Sequence, residues 1–355
     1  MKTFLLAVIP GDGIGKEVVP AALRVLAAAT ELHGGLKFQP TEFPWSCEYY
    51  AAHGRMCPDN WQKTLAGFDA IFLGAVGLPK LVPDHVSLWS FMIPIRRAFE
   101  QYVNLRPCKL LRGFVSPLRG KLPHSFDFVV VRENTEGEYS TIGGRLCEGT
   151  PQESAVQMAC FSRRGCERVL HYAFARARAS RQRLISVTKS NGIVHTMPFW
   201  DQITAEVATN YRDVDWRLMH VDAAAAYMVL KPEELDVMVA SNLFGDILTD
   251  VGGAIMGSIG TAPAANLNPE RKFPSMFEPV HGSAPDIAGR GVANPVGQIW
   301  TSAMMLEWFG EPELATRLVV AIEEVLAAGI KTPDLGGTAT TQQIADAVIA
   351  NLRSR

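Results

Sequence analysis

Six short apolar runs, spaced by longer amphipathic stretches, set the limits on what this chain can fold into. They are FLLAVI (4–9), FDAIFLG (68–74), FDFVVV (126–131), RLISVT (183–188), WRLMHV (216–221) and LDVMVA (235–240). Each has strand length, and helical periodicity fills the intervals, with a helix over about 15–29 and closing helices at 313–328 and 340–353. Strands alternating with helices predict an α/β fold. No repeat and no low-complexity linker interrupts the pattern. At 355 residues the chain is long enough for two domains or one large α/β unit.

The ends of these runs carry the polar chemistry. FDFVVV leads into Arg132 and Glu133, RLISVT into Lys189, Ser190 and Asn191, WRLMHV into Asp222, and LDVMVA into Ser241, Asn242 and Asp246. Ligands of open α/β sheets bind outside the carboxyl ends of strands. Four consecutive strands delivering charged or amide groups there point to an active site.

Composition narrows the partners. A net charge of −2 gives no electrostatic ground for nucleic acid or an anionic membrane. The segment 163–183 has seven arginines. However, Cys166, Val169, Leu170, Ala173, Phe174 and Ala177 recur at helical spacing, so it reads as an amphipathic helix with a solvated basic face. FLLAVI is too short for a signal-peptide core, and no apolar stretch reaches the ~18 residues of a membrane span. The six cysteines form no CxxC pair and no zinc pattern, which suits free thiols in a reducing compartment. A cytoplasmic protein is expected, and any metal would be held by oxygen.

PGDGIGKE (10–17) follows a strand and opens a helix, but the dinucleotide fingerprint would need glycine at position 16, which is Lys16. A standard Rossmann site is therefore not expected. HVSLWSFMIPIRRAFEQYVNLRP (85–107) reads as a helix entering an extended NLRP segment. Arg96, Arg106 and Arg132 are either surface arginines or a clamp for carboxylates.

In SNLFGDILTD (241–250), Asp246 and Asp250 stand four apart, a like-charge spacing that weakens a bare helix. The helix dipole accounts for Asp246 alone but not for Asp250 or for Asp222. Three carboxylates without a soft ligand suit a hard ion such as Mg²⁺ or Mn²⁺. EPVHGSAPDIAGRGVANP (278–295), long and without an apolar period, leans toward a binding loop, punctuated by His281, Asp286 and Asn294.

PGDGIG, the Arg96 and NLRP pair, VRENTEGEYS (131–140), Lys189-x-Asn191, NLFGDILTD and HGSAPDIAGRGVANP occur in this order, and together they resemble the β-decarboxylating 2-hydroxyacid dehydrogenases, the isocitrate and isopropylmalate dehydrogenase family. The resemblance runs from about residue 5 to 350. VPDHVSLW, QYVNLRP and ASNLFGDIL are most similar to the tartrate dehydrogenase/decarboxylase and D-malate dehydrogenase branch. SLWSFMIPIR (87–96) departs from that branch at Ile93 and Pro94, where a basic residue is common.

The resemblance implies an isopropylmalate dehydrogenase-like fold of two interleaved α/β domains. Residues 1–100 with 253–355 would form the larger, cofactor-side domain, and residues 101–252 the smaller one. It implies a homodimer with shared active sites, in which Lys189 and Asp222 serve the partner's site. Arg96, Arg106 and Arg132 would hold substrate carboxylates, and the Leu88–Ile95 segment, Ser90 and Met92 included, would set specificity. Asp222, Asp246 and Asp250 would carry Mn²⁺ or Mg²⁺, with a monovalent cation as a further candidate. Lys189 would be the base, Tyr139 the proton donor, and Asn191 would lie near the nicotinamide. NAD would lie against His281, Gly282, Ser283, Ala284, Pro285, Asp286, Ile287 and Asn294. Asp286 accepts from a ribose 2′-hydroxyl and repels a 2′-phosphate, which favours NAD over NADP.

The implied reaction is oxidation and β-decarboxylation of D-malate or tartrate. 3-Isopropylmalate is the alternative: Phe91 and Met92 permit its apolar pocket, while Trp89 and Ser90 leave it open. A silent regulatory subunit is the reading from another class, but Lys189, Tyr139 and all three aspartates are kept.

Overall fold

The computed structural model describes residues 2–354. Twelve strands form: β1 (Lys2–Gly11), β2 (Leu36–Glu42), β3 (Ala70–Ala75), β4 (Val103–Lys109), β5 (Asp127–Glu133), β6 (Gly143–Leu146), β7 (Ser154–Gln157), β8 (Arg183–Thr188), β9 (Asp215–His220), β10 (Val237–Ala240), β11 (Pro263–Leu267) and β12 (Ser275–Pro279). Ten of them make one sheet in the order β2-β1-β3-β12-β11-β4-β5-β10-β8-β9. β6 and β7 pair separately as an antiparallel hairpin. This is the mixed α/β architecture expected, and not a Rossmann sheet.

The sheet has two halves. Strands β1, β2, β3, β11 and β12 come from residues 2–75 and 263–279, while β4, β5, β8, β9 and β10 come from residues 103–240. They meet at the antiparallel β11–β4 pair. β5, β10, β8 and β9 run parallel to one another, so their carboxyl ends share an edge. β4 runs against β5 with Val103 opposite Glu133 and Asn104 opposite Arg132. That register places the start of β4, and the helical segment before it, at the same edge.

Helices cover both faces. Helix Gly15–His33 buries Val18, Ala22, Val25 and Ala29, one face at i, i+3 and i+4 spacing. Helix Arg163–Arg178 buries Cys166, Val169, Leu170, Ala173, Phe174 and Ala177, as its periodicity predicts. Its arginines pair with carboxylates, Arg163 with Glu206, Arg164 with Glu100 and Arg178 with Asp213, so the basic face is largely neutralised. Among the described residues no helix is long and apolar enough to cross a membrane.

PGDGIG serves close packing. Gly11 has φ +74° and a Cβ there would lie 2.1 Å from the Ala75 carbonyl; Gly13 has φ +53° and its Cβ would lie 2.0 Å from the Ser283 carbonyl. The turn thus seats the 281–294 loop on the top of β1, with Ile14 N–H donating to Ser283 O at 2.8 Å.

The segment 84–98 is helical with a π turn at Leu88–Met92. Pro94 has no N–H for the Ser90 carbonyl, so the α register cannot run straight through. Ile93 N–H instead donates to Leu88 O, an i to i+5 bond.

Candidate active site

Helix Asn242–Met256 lays Gly245, Leu248, Thr249 and Gly252 on the sheet and ends at Gly257 in the left-handed conformation. Asp246 therefore points along the edge where β4 and β5 present their arginines. Arg132 at the end of β5, 3% exposed, donates Nε (3.0 Å) and Nη2 (2.7 Å) to Asn242 Oδ1 and pairs through Nη1 with Asp246. Arg106 on β4 donates to Thr249 Oγ1 at 2.6 Å and reaches Asp246 Oδ1 at 3.3 Å. Arg96, from the 93–98 helix, donates to Glu278 Oε1 at 2.8 Å. The Tyr139 hydroxyl donates to the other oxygen of Asp246 at 2.8 Å.

The electrostatics follow from this crowding. Burial pushes the Arg132 guanidinium down, aided by Arg106 and opposed by Asp246, to about 10, so it stays charged at neutral pH. Burial alone would raise the Asp246 carboxyl, but Arg132 and Arg106 outweigh it and the net direction is down. Asp250 moves the other way: although solvent reaches it, partial loss of hydration and then the Asp246 charge raise it. Burial and Asp246 raise the Tyr139 phenol, which keeps its proton. Three buried arginines face two paired carboxylates, Asp246 and Glu278, and Nε of Arg96 and of Arg106 is buried without a hydrogen-bond partner. A charge surplus of this kind is completed by an incoming anion.

Arg96, Arg106, Arg132, Tyr139, Asn242 and Asp246 line one cavity of about 150 Å³, closed on its apolar side by Leu88 and Ile93. The volume is below the ~300–1,000 Å³ of sites for drug-sized ligands and suits a small acid. Ser90 and Met92 do not line it. The π turn leaves Ser90 exposed, its hydroxyl on Val86 O, and turns Met92 into the core beside Phe91. Leu88 and Ile93, from the same segment, border it.

Lys189 and Asp222 stand apart from this cavity within the chain. Lys189 Nζ lies 3.0 Å from Asp222 Oδ1, which holds the Asp222 carboxyl below its usual range, and the Asp222 side chain is 68% exposed. Among the described residues no three acidic, His or Cys side chains come together as a metal cluster. Asn191 is exposed beside Lys189.

The 281–294 loop presents Gly282, Pro285 and Asp286 to solvent. His281 Nε2 is buried without a partner, and burial lowers its imidazole. Other members of the expected set are committed inward. Ala284 and Ile287 pack on Ile14 and Val18, and Ser283 O holds Ile14. Asn294 donates to Asp334 at 2.9 Å and accepts from Val296 N–H at 3.0 Å. Glu17 anchors the far side of the loop through Gly289 N–H at 2.6 Å.

Sequence reading missed the residues that hold the clamp: Glu278, Thr249, and the role of Asn242. Thr249 had a signal, since it lies three residues after Asp246 on the same helix face.

The geometry defines a class, an α/β protein with three buried arginines around a small cavity beside an acidic pair at a sheet edge. The chain belongs to the isocitrate/isopropylmalate dehydrogenase family, whose profile matches residues 5–348. It is 56% identical to a probable tartrate dehydrogenase/decarboxylase of Bacillus subtilis (strain 168), covering 99% of each chain. It is 55% identical to D-malate dehydrogenase (decarboxylating) of Escherichia coli (strain K12), covering 98% of each. The isocitrate dehydrogenase of Methylococcus capsulatus superposes with a TM-score of 0.87 at 33% identity over 99% of both chains. The chain is a decarboxylating dehydrogenase.

Proposed function

We propose that the protein catalyses the NAD- and divalent-metal-dependent oxidation and β-decarboxylation of a small 2-hydroxy dicarboxylate, D-malate or tartrate. The observation that carries the reading is the surplus of buried arginine charge around the 150 Å³ cavity. Its relatives' names point the same way.

In this reading Arg96, Arg106 and Arg132 bind the substrate carboxylates and fix the carbon chain against Tyr139. Asp246 and Asp250 would hold the cation: partial desolvation and then the Asp246 charge raise the Asp250 carboxyl, and a positive ion between the two carboxylates offsets both. The exposed Asp286 and the orphaned His281 Nε2 fit a nucleoside. When bound, the ion supplies Lewis acidity at the hydroxyl and NAD accepts the hydride. Lys189 takes the hydroxyl proton. Loss of CO₂ leaves the bonding pair on the substrate as an enolate, and Tyr139 O–H delivers the proton to carbon. NAD is preferred over NADP because Asp286 opposes a 2′-phosphate.

Lys189 and Asp222 complete the site from the partner subunit of a homodimer. The hairpin β6–β7 is exposed at all eight positions, and such a pair is marginal alone. Edge strand β9 leaves Leu218 exposed, and the apolar helix Val221–Leu230 leaves Val229 and Leu230 exposed. These surfaces are suited to burial by a second copy. We read the two halves of the sheet as belonging to a domain of residues 1–100 with 253–355 and a domain of residues 101–252. The protein is assigned to the cytoplasm, with neither nucleic acid nor membrane as partner.

Leu88 and Ile93 on the cavity wall give 3-isopropylmalate a specific footing as the second reading. One assay separates them: reduced cofactor formed with D-malate, L- and meso-tartrate, 3-isopropylmalate and isocitrate. Each is run with NAD or NADP, with Mn²⁺, Mg²⁺ or EDTA, and with and without K⁺. D-malate or tartrate with NAD and metal should give the highest kcat/KM. A higher value for 3-isopropylmalate would replace the first reading, and turnover of none would end both.

A further inference from the structure

Arg97 follows the clamp residue Arg96 and also borders the cavity, yet it does not aim at a carboxylate. Its Nε donates to the Thr135 carbonyl at 3.0 Å and its Nη2 to the Tyr139 carbonyl at 2.8 Å. Its guanidinium lies 5.2 Å from the ring centroid of Trp89, in the π turn. One planar group thus ties two carbonyls of the loop bearing Tyr139 to the helical segment that forms the apolar wall.

The loop has a second anchor on its other side. The Glu138 carboxylate accepts from Ser241 Oγ at 2.6 Å and Leu243 N–H at 3.1 Å, at the start of the helix that carries Asp246. Tyr139 is therefore strung between two supports. Its hydroxyl meets Asp246, and Arg132 lies 5.6 Å from its ring centroid. Removing the Glu138 support would also disturb the helix start. Removing Arg97 would free only the Tyr139 side of the loop.

We propose that Arg97 is a positioning residue for Tyr139: it holds the loop backbone so that the phenol is aimed at the carbon that gains a proton after CO₂ leaves. The inference rests on the reading of Tyr139 as that donor. A guanidinium serves here because its fixed fork satisfies two carbonyls at once, which an ammonium point charge does not. Displacing a reacting group by about 1 Å can cost up to about a hundredfold in rate. The loss should fall on the protonation step and leave substrate capture intact.

The test compares Arg97→Gln, Arg97→Lys and Tyr139→Phe with D-malate, NAD and Mn²⁺. Arg97 is exposed, so its variants should fold. Arg97→Gln should lower kcat by about tenfold to a hundredfold with KM for D-malate within about threefold. The solvent deuterium isotope effect on kcat should rise, and the primary effect from 2-deuterated D-malate should fall, as proton delivery becomes limiting. Arg97→Lys should recover part of kcat. If Tyr139→Phe leaves both isotope effects unchanged, Tyr139 is not the donor and the underlying reading fails. If Tyr139→Phe shifts them and Arg97→Gln does not, the Arg97 inference alone fails. A tenfold rise in KM with unchanged isotope effects would make Arg97 a fourth substrate clamp and overturn the proposal.

Discussion

Gly245 rests directly on the stem of Arg132: a Cβ built on it would stand 2.6 Å from Arg132 Cβ and 2.7 Å from Arg132 Cγ. The helix that carries Asp246 thus touches the arginine to which Asp246 is paired. Gly245→Ala must push the helix and β5 apart, since neither contact atom is the free end of a side chain. Overpacking of this kind costs about 1–3 kcal/mol. We expect lower stability to urea and a loss in kcat/KM greater than the fraction of unfolded protein explains. A variant that melts and turns over like the wild type would show that the helix can slide without cost to the site.

Asp246 and Asp250 separate two roles that SNLFGDILTD runs together. Asp246→Asn removes the shared counter-ion of Arg106 and Arg132 as well as a proposed ion ligand. The cost to stability should approach about 3 kcal/mol, the low end for a broken buried pair, because 35% of the Asp246 side chain is exposed. Asp250 is exposed and carries no such pairing. Asp250→Asn should stay within about 0.5 kcal/mol of wild type while raising the Mn²⁺ concentration for half-maximal activity at least about tenfold. Melting curves and Mn²⁺ titrations of the two variants check both halves, and an unaltered Mn²⁺ requirement in Asp250→Asn would remove it from the metal site.

Runs read as strands became β1, β3, β5, β8, β9 and β10, with ends within two residues of those expected. Their apolar stretches are contiguous because most of these strands are covered on both faces. The two inner strands of the first half were not readable. β11 (PAANL) and β12 (SMFEP) are buried at every position, so no polar alternation marks them, and prolines bound them. β2 is an edge strand with Pro40 inside it. At the site, Arg96, Arg106, Arg132, Tyr139 and Asp246 were all nameable and do converge. The offset of Ser90 and Met92 was hidden because a π turn breaks the 3.6-residue period on which such placement depends.

His281 should make folding sensitive to mild acid. Burial lowers its imidazole, with the Gly282 carbonyl and Asp334 only partly opposing this. Below about pH 6.5 the unfolded chain binds a proton at this residue that the folded chain resists. Stability therefore falls as pH drops from about 6.5 toward the lower folded value, and is unaffected by this group above pH 7. His281→Asn should flatten that part of the profile. Urea midpoints at pH 7.5 and 5.5 for both proteins measure the difference, and an equal acid loss in the variant would assign the sensitivity elsewhere.

Shared active sites have a stoichiometric signature. If Lys189 serves the partner's cavity while Tyr139 serves its own, a Lys189→Ala chain and a Tyr139→Phe chain complement each other. In a mixed dimer one site combines intact Tyr139 with the partner subunit's Lys189 and is wild type. The other holds both defects. Random re-pairing gives about half mixed dimers, each with one working site of two, so activity should return to about a quarter of wild type. Each variant refolded alone should stay well below that level. The 3.0 Å Lys189–Asp222 pair, lying outside the cavity of its own chain, is what makes this outcome expected. Co-refolding the two variants and assaying per mole of dimer decides it, because a site built within one chain would regain nothing on mixing.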